Sequence, residues 1–146
     1  MKVDTCIFCS IVSGYSKAEI IYQDYSFVAL LDKYPFSSGH SLVIPRKHYE
    51  DLLEMPKEEV GNLYCTVSVI ATAISKALNP EGLNIGQNNG RAANQIIPHV
   101  HVHIIPRFKH DIISGRWPSR HLAHDLELQE ISGKIRSALA TTSIGG

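Results

Sequence analysis

The sequence predicts an α+β fold, a mainly antiparallel five-stranded sheet with two main helices, and three observations carry that reading. Short apolar, β-branched segments bounded by turn residues recur between residues 20 and 107. Most connections between them are too short for right-handed parallel crossovers, so neighbours run antiparallel. One long stretch, Pro56 to Leu78, holds its apolar residues at i, i+3, i+4 and i+7, the mark of a helix with a buried face. At 146 residues the chain is long enough to bury a real core without disulfides. A single domain over 1–146 is expected, with its core at about 4–108 and a C-terminal extension at about 109–146.

In chain order, residues 4–14 suit a short helical turn, which Asp4 or Thr5 caps and Gly14 ends. Ile20-Ile21-Tyr22 and Phe27 to Asp32 form two strands across a turn at 23–26, and Asp32 ends the second at an edge where ligands often sit. A Pro/Ser/Gly loop, 34–39, delivers His40 to a third strand, Ser41 to Ile44, closed by Pro45. Residues 46–53 turn into a short helix with His48 near its start. The long helix follows, with Cys65 read as a core residue on its apolar side. Leu83 to Asn88 alternates as a fourth strand, and 89–95 is a polar loop. Pro98 to Arg107 is the fifth strand. Lys109 to Arg120 reads as a loop and His121 to Leu139 as a second helix weakened by Gly133; 141–146 reads as a frayed tail.

Lys plus Arg equals Asp plus Glu at 14 each, and no segment concentrates one sign, which argues against nucleic acid or an anionic membrane surface as partner. The chain lacks an apolar run of the ~18 residues a transmembrane helix needs, and Met1 to Cys6 has no signal-peptide core. A cytoplasmic location is therefore expected. Three cysteines, two of them spaced Cys6-x-x-Cys9, do not make a secreted disulfide framework and leave a metal site or a redox pair open.

The chemistry concentrates in His99-Val100-His101-Val102-His103, where histidines alternate with β-branched residues at period two. On a strand the rings stand in a row ~6.6 Å apart, with Val100, Val102 and Ile104 facing a core. His99 and His103 are then ~13 Å apart, too far to share one ion at ~2.0–2.1 Å bonds. A nucleophile at His101 fits better, attacking phosphorus or an acyl centre through one ring nitrogen while the other is held by a fixed acceptor. His103 or His40 would assist the leaving group. With no dense Lys/Arg cluster, neutral donors such as Asn88 and Gln95 would hold phosphate charge. The Cys6/Cys9 pair reads either as partly buried thiols or as half of a closed Cys2His2 set. The latter requires His99 and His48 to meet the N-terminal turn, and its zinc (Zn2+) would be structural. His110, His121 and His124 are expected at the surface.

Gln87-Asn88-Asn89-Gly90-Arg91-Ala92-Ala93 followed by His99-Val100-His101-Val102-His103-Ile104-Ile105 resembles the histidine triad (HIT) family of nucleotide hydrolases and transferases. Cys6-Ile7-Phe8-Cys9 and Ile44-Pro45-Arg46-Lys47-His48 resemble its zinc-bearing branch, and the likeness runs from about Cys6 to Arg107. The resemblance implies that His101 is the nucleophile toward a nucleotide α-phosphate. It sets His103 by the phosphate and leaving group, and makes His40 the histidine that orders the site. It also implies that Asp32 meets the ribose hydroxyls, that Ile7, Phe8 and Ile11 wall the base, and that Asn88 lies near ribose and phosphate. The zinc ligands it implies are Cys6, Cys9, His48 and His99. It further implies a homodimer joined through one continuous sheet.

One departure is Asn94-Gln95-Ile96, where the family often has Gly-Gln-Ser/Thr, so the hydroxyl that would touch phosphate is missing. The transferase branch carries glutamine in place of the third histidine, and His103 therefore favours hydrolysis. The implied activity is cleavage at the α-phosphate of a purine nucleoside phosphoramidate, acyl nucleotide or dinucleoside polyphosphate, releasing a nucleoside monophosphate. The alternative is a nucleotide-binding scaffold with little catalysis.

Overall fold

The structure is a computed structural model and describes residues 5–114 and 118–141, with only the backbone for 112–114. Its centre is a five-stranded, wholly antiparallel sheet of order β1-β2-β3-β5-β4, built from β1 (Ile20–Gln23), β2 (Phe27–Leu31), β3 (Ser41–Pro45), β4 (Gly82–Gly86) and β5 (Val102–Arg107). The β1–β2 turn closes because the Asp24 carboxylate accepts the Ser26 and Phe27 backbone N–H groups, both at 2.8 Å.

Every residue of β2 and β3 is buried, which requires cover on both faces of the sheet. Alternation divides the strands between two cores. Phe27, Ala29, Leu31, Val43, Val102 and Ile104 face α2 (Lys57–Leu78) and α4 (Asp125–Ala140). Val28, Leu30, Leu42 and Ile44 face the short α1 (Ile7–Val12), joined by Cys6, Phe8, Cys9 and Ile11. α4 starts at Asp125, not His121; Leu128, Ile131, Ile135 and Leu139 form its buried stripe, while Leu126 and, ahead of the helix, Leu122 are exposed. Among the described residues no helix is long and apolar enough to cross a membrane.

Several local expectations change. Cys6 caps α1, its Sγ accepting the Cys9 N–H at 3.4 Å, in place of Thr5; Asp4 lies outside the described residues. His48 sits in an irregular segment before a single 3-10 turn, Leu52–Glu54, capped by Asp51. Cys65 is exposed: at about 100° per residue it points opposite the stripe of Leu63, Val67, Ile70 and Ile74. Lys109–Ser114 is a helix, α3, where a loop was expected, and Gln87 and Asn88 lie beyond the end of β4. The frayed tail expected at 141–146 falls outside the described residues apart from Thr141, the C-cap of α4.

The fifth strand begins at Val102, not Pro98. Its ladder with β3 runs only from Val43↔Val102 to Ser41↔Ile104, so His99 and His101 lie outside the sheet. Val100, Val102 and Ile104 are nonetheless fully buried, as the alternation predicts.

Gly39 sets the entry to β3. Its φ of +91° belongs to glycine, and a Cβ there would overlap Leu78 Cδ1 and crowd Pro106. Gly39→Ala is therefore expected to lower unfolding free energy by about 2–4 kcal/mol, measured by urea denaturation; a loss within about 0.5 kcal/mol would contradict this packing.

Candidate active site

Hydrogen bonds to groups that can only donate or only accept decide which nitrogen of each buried histidine carries the proton. The His99 carbonyl lies 2.7 Å from His101 Nδ1, and a carbonyl accepts, so Nδ1 carries the hydrogen and Nε2 of the neutral ring holds a free lone pair. The Phe36 backbone N–H donates to His40 Nδ1 at 3.0 Å, so His40 carries its hydrogen on Nε2 and donates it to His103 Nδ1 at 2.9 Å. His103 is thereby left with an Nε2–H donor. The rings of His101 and His103 lie 5.0 Å apart, closer than a flat strand would place them. The row therefore presents one bare nitrogen beside one donor.

Burial keeps these rings neutral. It pushes His40 down to about 3 and His103 to about 4, reinforced by neighbouring histidines and the Arg120 guanidinium, and it lowers His101 as well. Phe8 packs edge-on against both His99 and His101, at 5.7 and 5.2 Å between ring centres. Ile11 is buried beside it, whereas Ile7 is exposed.

Asp32, just past β2, is buried, and its Oδ2 lies 3.6 Å from His40 Nε2. Burial raises its pKa, opposed by the Tyr34 N–H at 2.8 Å and by Arg120, whose Nη2 is 2.6 Å away. Arg120 was read only as the end of a loop. It also donates through Nε to the Tyr34 carbonyl and lies over the Phe36 ring at 4.8 Å. With Arg120 and Asp32 88 positions apart in sequence, no local pattern could have paired them.

Gln95 is buried and fully engaged: its amide donates to the Glu50 and Ile97 carbonyls and accepts the Gly90 N–H. It fastens the 90–97 loop. Asn88 is exposed, bonded to the Asn94 carbonyl at 3.4 Å. Asn88 follows β4 by two residues, and the β4–β5 ladder ends at Gly86↔His103.

A second cluster adjoins the row. Cys6 Sγ, Cys9 Sγ, His48 Nδ1 and His99 Nδ1 all lie within 4.8 Å of one another. His99 Nε2 donates to the Pro45 carbonyl at 2.8 Å, so its Nδ1 lone pair faces Cys6 Sγ at 3.4 Å, Cys9 Sγ at 3.6 Å and His48 Nδ1 at 3.2 Å. Tetrahedral zinc with ~2.0–2.3 Å bonds spaces its ligands by ~3.3–3.8 Å. The donor set fits such an ion. Burial and the adjoining Cys6 push the Cys9 thiol up to about 11, so a cation is needed to hold it as thiolate. Asp32, His40 and His103 also bring three ligating atoms together, but the His40 Nε2 hydrogen occupies the position a metal would take.

A HIT domain family model matches residues 13–110, and the chain belongs to the HIT family. It is 39% identical to the adenylylsulfatase HINT3 of Arabidopsis thaliana, over 92% of this chain and 67% of that one. It is 37% identical to the adenosine 5′-monophosphoramidase hnt1 of Schizosaccharomyces pombe, over 90% of this chain and 99% of that one. A zinc-bound histidine triad family protein of Mycobacterium smegmatis superposes with a TM-score of 0.82 at 38% identity, covering 95% of this chain and 96% of that one, in keeping with the zinc-bearing branch.

Because the folded protein holds His40 and His103 neutral where the unfolded chain would protonate them near pH 6.5, stability is complete above about that pH and falls on acidification toward pH 4. Urea titrations should show a loss of about 1–2 kcal/mol per pH unit between pH 6.5 and 4.5, shallower in His40→Asn; a pH-independent stability would contradict the neutral row.

Proposed function

We propose that the protein is a nucleotidyl hydrolase that cleaves at the α-phosphate of a purine nucleoside phosphoramidate, acyl nucleotide or dinucleoside polyphosphate. The observation that carries this reading is the His99 carbonyl on His101 Nδ1, which leaves Nε2 bare and aimed away from the backbone. In the proposed reaction Nε2 attacks the α-phosphorus, the nitrogen–phosphorus bond forms and the bond to the leaving group breaks. The His103 Nε2–H hydrogen-bonds the leaving atom and offsets the charge it gathers; sulfate or a phosphate departs as the anion, and an amine takes up a proton from solvent as its bond to phosphorus breaks. Water then displaces the histidine, releases the nucleoside monophosphate and loses its proton to solvent. His40, fixed by Phe36, keeps His103 in the donating tautomer.

The ribose hydroxyls are assigned to Asp32 and the phosphate flank to Asn88. Ile7 offers the base an exposed apolar face, backed by Phe8 and Ile11. Gln95 shapes the adjoining loop. Cys6, Cys9, His48 and His99 would hold Zn2+, which, when bound, ties α1 to the residues before β5. The relatives named adenylylsulfatase and adenosine 5′-monophosphoramidase support the substrate class.

His101→Ala should reduce turnover of adenylyl sulfate and adenosine 5′-phosphoramidate by at least about 10³-fold while AMP still binds. Near wild-type turnover would rule out the covalent route; nucleotide binding by the wild type without turnover would favour the scaffold. Elemental analysis should give one zinc per chain, lost in the double variant Cys6→Ser/Cys9→Ser; full zinc in that variant would refute the ligand set.

A homodimer is proposed across β4, one of the two edge strands of the sheet. Beside it a groove of about 410 Å³ is lined by Tyr64, Val67, Ala71, Leu83 and Ile85, with Ile85 47% exposed. Ile85→Lys should convert the dimer to a monomer in light scattering; an unchanged mass would place the interface elsewhere.

A further inference from the structure

Arg120 is held as a rigid cation at one end of the histidine row. Its Nε–H bonds the Tyr34 carbonyl at 2.7 Å, an Nη2–H bonds Asp32 at 2.6 Å, and the guanidinium lies over Phe36, which itself stacks on His40 at 5.6 Å and 14°. His40 is hydrogen-bonded to His103, so the guanidinium stands at the His40/His103 end of the row, away from the Cys6/Cys9 cluster around His99. A guanidinium has five N–H donors; among the described residues Asp32 and Tyr34 engage two of them. The side chain is 35% exposed, so the remaining donors can be reached from solvent.

We propose that Arg120 is a specificity-determining residue that reads the charge of the leaving group, favouring a nucleotide that releases an anion such as sulfate over one that releases a neutral amine. This rests on the nucleotidyl hydrolase reading. His40 and His103 are neutral and can offer a leaving anion only dipoles, whereas Arg120 offers a charge-assisted bond. Asp32 balances that charge in the free protein and releases it in part when ribose hydroxyls take up its lone pairs. The hydrogen bonds to Tyr34 and Asp32, with the Phe36 ring beneath the guanidinium, hold the fork in place before substrate arrives, so little side-chain entropy is lost on binding.

Adenylyl sulfate and adenosine 5′-phosphoramidate share the adenylyl half and differ only in what leaves. The test is the ratio of their kcat/KM values in wild type, Arg120→Met and Arg120→Lys. Removing the charge should lower the ratio, sulfate over amine, by about tenfold or more, and lysine should restore part of it. A ratio unchanged in both variants would overturn the proposal and leave Arg120 as a structural partner of Asp32. Should Arg120→Met fail to fold by thermal unfolding, Arg120→Lys and the salt dependence of the wild-type ratio decide: added salt lowers the ratio if a charge is read, and a flat ratio overturns the proposal. A wild type inactive on both substrates would instead remove the hydrolase reading itself.

Discussion

The site depends on one residue used three ways. The carbonyl of His99 takes the His101 Nδ1 hydrogen, its Nε2–H is pinned by the Pro45 carbonyl, and its Nδ1 faces two thiols and His48. Backbone from β3 thus sets the ring that meets the metal-ligand cluster, and backbone of that same residue sets the tautomer of the proposed nucleophile. The carbonyl is free for this because the β3–β5 ladder stops at Val102. Had the strand run on through His99, its carbonyl would be committed to a neighbouring strand's N–H, and the His101 ring would have lost its acceptor.

That shortened strand also marks how far the sequence could be read. Period-two alternation is a statement about side-chain direction, and it held where packing enforces direction, with Val100, Val102 and Ile104 all buried. It says nothing about where ladder hydrogen bonds cease, because that depends on the length of β3 and on the Val100 N–H finding the Tyr49 carbonyl. The long helix was legible because 22 residues repeat one pattern, and the same pattern, followed strictly, turns Cys65 outward. The joining of Cys6 and Cys9 with His48 and His99 was legible as a conditional set, since residue types and spacing suggest ligands but not their meeting. Arg120 was illegible: neither periodicity nor motif links a charged residue after Trp117-Pro118 to a carboxylate just past the end of β2.

Electrostatically the site is nearly neutral. Burial holds His40, His101 and His103 uncharged, and the ion pair of Asp32 with Arg120 supplies both signs at one end. Neutral imidazole is the form a nucleophile requires, and a fixed donor is what a departing group requires, so desolvation and tautomer control both suit the proposed chemistry. The sequence suggested that neutral donors alone would face phosphate; Arg120 adds a cation that composition could not place.

The central claim is that backbone groups assign the protons on the histidine row. It is tested most directly by ¹⁵N NMR of the histidine ring nitrogens in the protein at neutral pH. His101 should show a hydrogen on Nδ1 with Nε2 unprotonated, and His103 and His40 should show theirs on Nε2. A His101 ring carrying its hydrogen on Nε2 would contradict the account, because the atom assigned to attack phosphorus would then have no lone pair to do so.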